Sequence, residues 1–335
     1  MKKIQICAAA AMLMFALAGC GTSETTASTQ DFYAMDTAMN ITAYGKHAQD
    51  AINESIQYIN ALEQDISRTN EDSDVYAINH AEGETVTVSA QTADVLDRAL
   101  ELAEQTDGYF DPTIAPLSDL WGIGTENAAV PAQADIDAAL ALVDYTKVTL
   151  DGTEVTIPAG MEIDLGGIGK GYAADHVAQI LKDAGVEHAT ISLGGNVYAV
   201  GSKDRGIPWS VGITDPDEPG SWFAALKVSD TSVVTSGDYE RYFEQDGKRY
   251  CHIFDPETGY PAETDLRSVT IVSANSTQAD ACTTALFVMG LERAQQYCEE
   301  QGIEAVFVCR DHTVYVTDGL KDSFSMDSTA YTYEK

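Results

Sequence analysis

Basic side chains are scarce: 19 lysines and arginines face 53 aspartates and glutamates over 335 residues, a formal net charge of −34. So acidic a surface repels phosphate backbones, which excludes a nucleic-acid partner. Any anionic ligand must be met by a local cluster, a glycine-rich turn or a metal ion, and a divalent cation held by carboxylates is the natural candidate. Cysteine is sparse too. None of the six stands in a C-x-x-C pair, so neither a zinc site nor a thioredoxin-like redox motif is supported. No G-x-S-x-G elbow occurs, which argues against a Ser-His-Asp hydrolase. The apolar run over 4–18 falls short of the ~18 residues that spanning a membrane usually needs.

What is there begins with a leader. Lys2 and Lys3 precede that apolar run, and Leu17-Ala18-Gly19-Cys20 then sets small residues before a cysteine, the layout of a secretory signal with a lipoprotein cleavage box. The expected division is a signal over 1–19, a lipidated Cys20 with a Ser/Thr-rich tether over 20–30, and one large domain over 31–335. Cys7 falls in the signal, which leaves Cys251, Cys282, Cys298 and Cys309 either paired, as export permits, or buried as free thiols.

Beyond the tether, helical and strand periods alternate. Ile52, Ile56, Ile59, Leu62 and Ile66 predict an amphipathic helix over 49–66, and Val95, Leu96, Ala99, Leu100 and Ala103 a second, closed by Asp107-Gly108. Further helices are expected over 139–143, 172–184 and 279–300. Strands are expected over 85–88 and 147–157, on either side of Gly194-Gly195 within 190–200, around Ser232 and Val269, and as a hairpin over 305–316.

The densest chemistry is Asp164-Leu165-Gly166-Gly167-Ile168-Gly169-Lys170-Gly171, after a strand and before a helix. Its glycines let backbone amides approach a phosphate and the helix N-terminus adds a favourable dipole; a tight turn with no ligand is the other reading. It is neither a Walker loop nor a dinucleotide fingerprint, since Asp164 and Gly171 break the first pattern and G-x-G-x-G the second. Asp280 and Thr284, four apart on a helix that Ser276 or Thr277 could cap, project their oxygens from one face. They suit a hard cation with waters and phosphates, or plain dipole compensation. His252 lies beside an Asp-Pro turn and titrates in a range useful to a general base, unless it is only a packed neighbour of residues 255–261.

Met35-Asp36-Thr37, residues 67–79, Phe110-Asp111-Pro112-Thr113, residues 164–175, Ser192-Leu193-Gly194-Gly195-Asn196, Thr235-Ser236-Gly237-Asp238, residues 252–261 and residues 279–284 together resemble the ordered motif set of the ApbE-type FAD:protein FMN transferases, across about 32–325. The resemblance implies an α+β fold of the tunnelling-fold type, FAD in a cleft between two subregions, and Mg²⁺ at its diphosphate. Carried over residue by residue, it implies Met35 near the flavin, Phe110, Asp111 and Pro112 along the FAD, and Asp164, Lys170 and Ile253 around it. It further implies a metal between Asp280, Thr284 and a backbone oxygen, that of Gly167. This chain departs from the usual Met-Gly-Thr at Asp36, and carries Thr69 or Asn70 where some members stack an aromatic ring on the isoalloxazine.

The implied reaction moves FMN from FAD to a Ser or Thr hydroxyl of an acceptor protein bearing a Ser/Thr-Gly flavinylation motif, releasing AMP at the outer face of the cell membrane. His252 is the first candidate for general base and Asp238 the second. Two other readings stand beside it: a Mg²⁺-dependent FAD pyrophosphatase, and a lipoprotein that holds flavin without chemistry.

Overall fold

The computed structural model describes residues 27–218 and 220–334. The expected leader, Cys20 and the tether as far as residue 26 lie outside them. Nine strands form one sheet in which spatial order follows chain order: Ala27–Ala34, Thr37–Tyr44, His188–Leu193, Asn196–Gly201, Thr231–Gly237, Leu266–Ser273, Glu304–Cys309, Thr313–Val316 and Thr332–Glu334. Neighbours are antiparallel except the last pair. The helices enter as insertions between strands: α1 (Ala48–Ile66), α2 (Asp74–Asn79), α3 (Ala90–Gln105), α4 (Ala115–Trp121), α5 (Gln133–Leu140) and α6 (Gly166–Asp183) before the third strand, and α7 (Ser276–Gln301) after the sixth.

Alternation along the strands assigns the two faces of the sheet. Ala305, Phe307 and Cys309 join the core beneath α1, α6 and α7, whereas Val306 and Val308 join a second core under a three-stranded sheet of Trp209–Thr214, Trp222–Val228 and Phe324–Met326. Both faces are thus covered, which is why Glu304–Cys309 reads as a nearly unbroken apolar run. A third, smaller cluster gathers Leu117, Trp121, Ile136 and Phe254, with Phe243, Tyr250 and Tyr260 packed on it. This aromatic satellite stands beside the two larger cores of one mixed α and β fold.

The structure corrects several expected boundaries. The first strand begins at Ala27, inside the expected tether, because its polar Ser and Thr residues pair in register with the second strand, Ala27 opposite Tyr44. The helix expected at 139–143 instead occupies Gln133–Leu140. Helix α6 starts at Gly166 rather than 172, so the glycine segment is its first turn and not a loop before it. Glycine is a poor helix former, which hides this in the sequence, yet the packing demands it: a Cβ at Gly171 would fall on the Ser276 carbonyl oxygen, and one at Gly169 would lie 2.9 Å from Ile66 Cδ1. Helix α7 is capped by neither Ser276 nor Thr277. Asn275 accepts the Gln278 amide at 2.9 Å, and the Asp175 carboxylate of α6 accepts the amides of Ser276 and Thr277 at 2.9 and 2.8 Å. The same helix is interrupted at Gly290, whose φ of 73° is left-handed. Cys251, Cys282, Cys298 and Cys309 are all buried free thiols.

Candidate active site

The short connections Met35-Asp36, Gly194-Gly195 and the segment after Gly237 all fall at one end of the large sheet, as the pairings of Ala34 with Thr37, Leu193 with Asn196 and Gly237 with Ser268 require. Met35 and Asp36 both hold positive φ, 47° and 57°, the signature of a type I′ hairpin turn. Non-glycine residues pay steric energy there, and the strain is held by neighbours: the Met35 amide donates to Glu63 Oε1 at 2.8 Å. A Cβ on Gly194 would collide with Thr37, so the two motifs lock together.

Helices α6 and α7 cross beside this end. Asp280, 3% exposed, accepts the Gly171 amide on Oδ2 at 2.8 Å while its Oδ1 lies 3.6 Å from Lys170 Nζ. Lys170 also donates to the Gly166 carbonyl at 3.3 Å. By helical count the Gly171 amide belongs to the Gly167 carbonyl, so its bond to Asp280 ties the glycine turn to α7 at the carbonyl expected to face a metal. Thr284 is partly exposed one turn beyond Asp280, and Thr283 turns the other way, bonding Ser236 Oγ at 2.9 Å. No group of three or more His, Cys, Asp or Glu gathers for a metal among the described residues. The donor set of one buried carboxylate, one hydroxyl and a carbonyl instead suits Mg²⁺, which keeps waters and shares ligand phosphates.

Asp164 closes the other side of the turn. Its Oδ1 accepts the Gly166 amide at 2.8 Å, its Oδ2 pairs with Arg68 Nε at 3.2 Å, and its own amide donates to the Pro112 carbonyl at 2.8 Å. Phe110 packs on the glycines, its Cε2 standing 3.0 Å from a Cβ placed on Gly167. The Asp111 side chain is turned inward, accepting from Thr113 N at 2.7 Å, Thr113 Oγ1 at 2.6 Å and Tyr145 N at 3.1 Å, with burial holding its pKa above the usual carboxylate range. It shapes the Phe110–Thr113 loop rather than offering a free carboxylate. Where an aromatic stacking residue was sought, Asn70 bonds Gln64 and Thr69 bonds Ser67.

His252 stands in the same neighbourhood. Its amide and its Nδ1 both face the Arg241 carbonyl, at 3.0 and 3.3 Å. Assigning Nδ1 as the donor leaves Nε2 with a free lone pair. Burial pushes the imidazole down to about 3, with the charges of Arg241 and Lys170 adding to the fall, so the ring is neutral at physiological pH. Glu240, two residues beyond the Thr235–Asp238 motif and not singled out in the sequence, lies in the same neighbourhood. The residue is exposed, its Oε1 lies 3.8 Å from a Cβ placed on Gly195, and desolvation pushes its carboxyl up to about 7, against the pull of Lys170 and Arg241 and with help from Asp280.

Asp238 and Ile253 are placed differently. Asp238, 1% exposed, meets Arg267 Nε at 2.9 Å, Arg310 Nη1 at 3.0 Å and Arg249 Nη1 at 3.6 Å, so its charge anchors three arginines and is ill placed to take a proton from an incoming hydroxyl. Ile253 is buried and its carbonyl accepts the Ala262 amide at 2.8 Å. Asp255 organises the turn that follows, and the Gly259 carbonyl accepts from Trp121 Nε1 at 3.0 Å, so that turn seals the aromatic satellite. A cavity of about 330 Å³ lies apart from these groups, on the outer side of α6 between Arg98, His176, Lys182 and Tyr198. Both its cations are already paired, Arg98 with Asp94 and Lys182 with Asp230.

A model of the ApbE family matches residues 35–307. The chain belongs to the ApbE family. A relative from Treponema pallidum named FAD:protein FMN transferase is 38% identical over 304 residues, covering 85% of this chain and 84% of that protein. One of the same name from Klebsiella pneumoniae is 39% identical over 281 residues, covering 82% and 87%. The crystal structure of the ApbE protein of Thermotoga maritima superposes with a TM-score of 0.83 at 34% identity, covering 89% of this chain and 99% of that one. The flavinyl transferase ApbE of Pseudomonas stutzeri gives 0.82 at 29%, covering 91% and 98%. The ApbE likeness therefore extends over most of the chain, and the expected mixed α and β architecture is the one found.

Proposed function

We propose that this ApbE-family chain transfers FMN from FAD to a Ser or Thr hydroxyl of an acceptor protein. The observation that carries the reading is the bond between the Gly171 amide and Asp280, which joins a glycine-rich helix start to a buried carboxylate with Lys170 beside both. In the reaction, the acceptor oxygen bonds to the FMN-side phosphorus and the bridging P–O bond breaks. AMP leaves with the electron pair, and the hydroxyl proton passes to a base. Asp280, Thr284 and the Gly167 carbonyl would hold Mg²⁺, which when bound supplies charge neutralisation at the diphosphate. Lys170 adds a fixed positive charge. His252, neutral and with Nε2 free, orients the hydroxyl and accepts its proton. The strained Met35 turn is the surface offered to the flavin nucleotide, while Phe110 and Pro112, both buried, set the neighbouring loops together with Asp111, Asp164 and Ile253.

Hydrolysis of FAD to FMN and AMP uses the same electrophile with water as nucleophile, and storage of flavin alone would not need Asp280 at the glycine turn. Incubating the protein with FAD, Mg²⁺ and an acceptor carrying a Ser/Thr-Gly motif tests the reading by intact mass. The acceptor should gain FMN less water with AMP in equal amount, and its Thr→Val variant should gain nothing. Free FMN forming at one rate with and without acceptor would establish the hydrolase instead. For location, the leader motif supports attachment to the outer face of the cell membrane through Cys20. Cys20→Ala should abolish lipid labelling, and wild-type protein found uncleaved in the cytosol would contradict it.

A further inference from the structure

Arginine is the scarce resource in this chain, and where each guanidinium goes is informative. With 53 acidic side chains available, a cation near the site ordinarily finds a carboxylate. Arg249, Arg267 and Arg310 share Asp238, Arg68 is held by Asp119 and Asp164, and Lys170 stands beside Asp280. Arg241 is different: it is exposed and forms no ion pair among the described residues. Its place is nevertheless fixed. Its carbonyl accepts both the amide and Nδ1 of His252, and its Cδ lies 3.7 Å from a Cβ placed on Gly124, in the loop after α4. The backbone therefore holds Arg241 against His252 and sets its side chain beside the loop that leads out of the aromatic satellite.

We infer that Arg241 is a second diphosphate-binding residue beside Lys170, its guanidinium donating hydrogen bonds to phosphate oxygens of the flavin dinucleotide. Planar, permanently charged and carrying several donors, a guanidinium suits phosphate oxygens better than an ammonium does. Because the Arg241 carbonyl holds both the amide and Nδ1 of His252, the guanidinium starts beside the residue assigned to the acceptor hydroxyl. A dianionic diphosphate lying there satisfies a cation that no carboxylate among the described residues meets. The inference rests on the transferase reading for the identity of the dinucleotide.

The test measures binding to the full-length protein in detergent with Mg²⁺, using three probes: FAD, ADP as a diphosphate without flavin, and riboflavin as a flavin without phosphate. In Arg241→Gln the Kd for FAD and for ADP should rise about tenfold or more, as expected for losing a charge-assisted phosphate contact. Riboflavin should stay within about twofold, and Arg241→Lys should fall between Gln and wild type. The side chain is exposed and only its carbonyl serves His252, so thermal unfolding should not move. FAD affinity unchanged in Arg241→Gln, or riboflavin weakened by as much as FAD, overturns the assignment. Wild-type protein that binds FAD but flavinylates nothing overturns the transferase reading and leaves the binding comparison to decide Arg241 on its own.

Discussion

Asp280→Asn should lower turnover about a hundredfold or more, roughly 3 kcal/mol of barrier, while the protein still folds. Asparagine is the informative replacement because its side-chain oxygen can keep the 2.8 Å bond from the Gly171 amide and only the charge is lost. Alanine is less clean. With Asp280 3% exposed, Asp280→Ala would strand a buried amide at the crossing of α6 and α7 and cost about 1–3 kcal/mol of stability as well. The variant should also lose its response to added Mg²⁺, read as turnover against metal concentration and as protection from thermal unfolding by Mg²⁺ with FAD. A variant that keeps full activity, or wild type that keeps it in excess chelator, would falsify the assignment of Asp280 to a cation.

His252→Asn should slow flavin transfer about a hundredfold or more, within the ordinary range for a general base, and leave the Kd for FAD within about twofold. The asymmetry follows from the proposed placement: Nε2 is the free atom, whereas the diphosphate would be met by Lys170, Arg241 and the glycine turn. The pH profile adds a second check. An imidazole pushed down to about 3 in the free protein is already deprotonated at pH 5, so kcat/KM should show no acid limb near 6.5 that disappears in His252→Asn. Arg241 and Lys170 are part of what depresses it, and a bound diphosphate offsets both charges. The imidazole pKa therefore rises in the complex, and the acid limb of kcat should lie at higher pH than that of kcat/KM. Equal losses of FAD affinity and turnover would make His252 a cofactor contact, and Glu240 would be the next carboxylate to test.

The motifs along the chain were legible because each is written in residues with few substitutes. Glycines at 166, 167, 169 and 171 are demanded by close approach, and Asp280 with Thr284 by helical spacing. What spacing did not reveal is which side chains are already spent. Asp238 resembles a base in sequence and is committed to three arginines; Asp111 resembles a ligand contact and is consumed by its own loop. The small three-stranded sheet and the first hairpin were missed for a related reason. Their strands are short or polar on an exposed edge, so alternation is weak, and pairing with a neighbour decides them.

By itself the sequence determined the composition of the site: the scarcity of cations, the glycine-rich helix start, the carboxylate and hydroxyl four residues apart, and the histidine beside an Asp-Pro turn. These follow from local covalent spacing and from which residues can adopt a given backbone shape. Only the tertiary structure decided how they are used. Asp175 caps a helix 101 residues away, Asp280 reaches the Gly171 amide 109 residues away, Glu63 holds the strained Met35 turn, and Arg241 is left beside His252 without a carboxylate partner among the described residues. Each of these depends on which groups a fold brings within about 3 Å and shields from water, where hydrogen bonds and charges gain their strength.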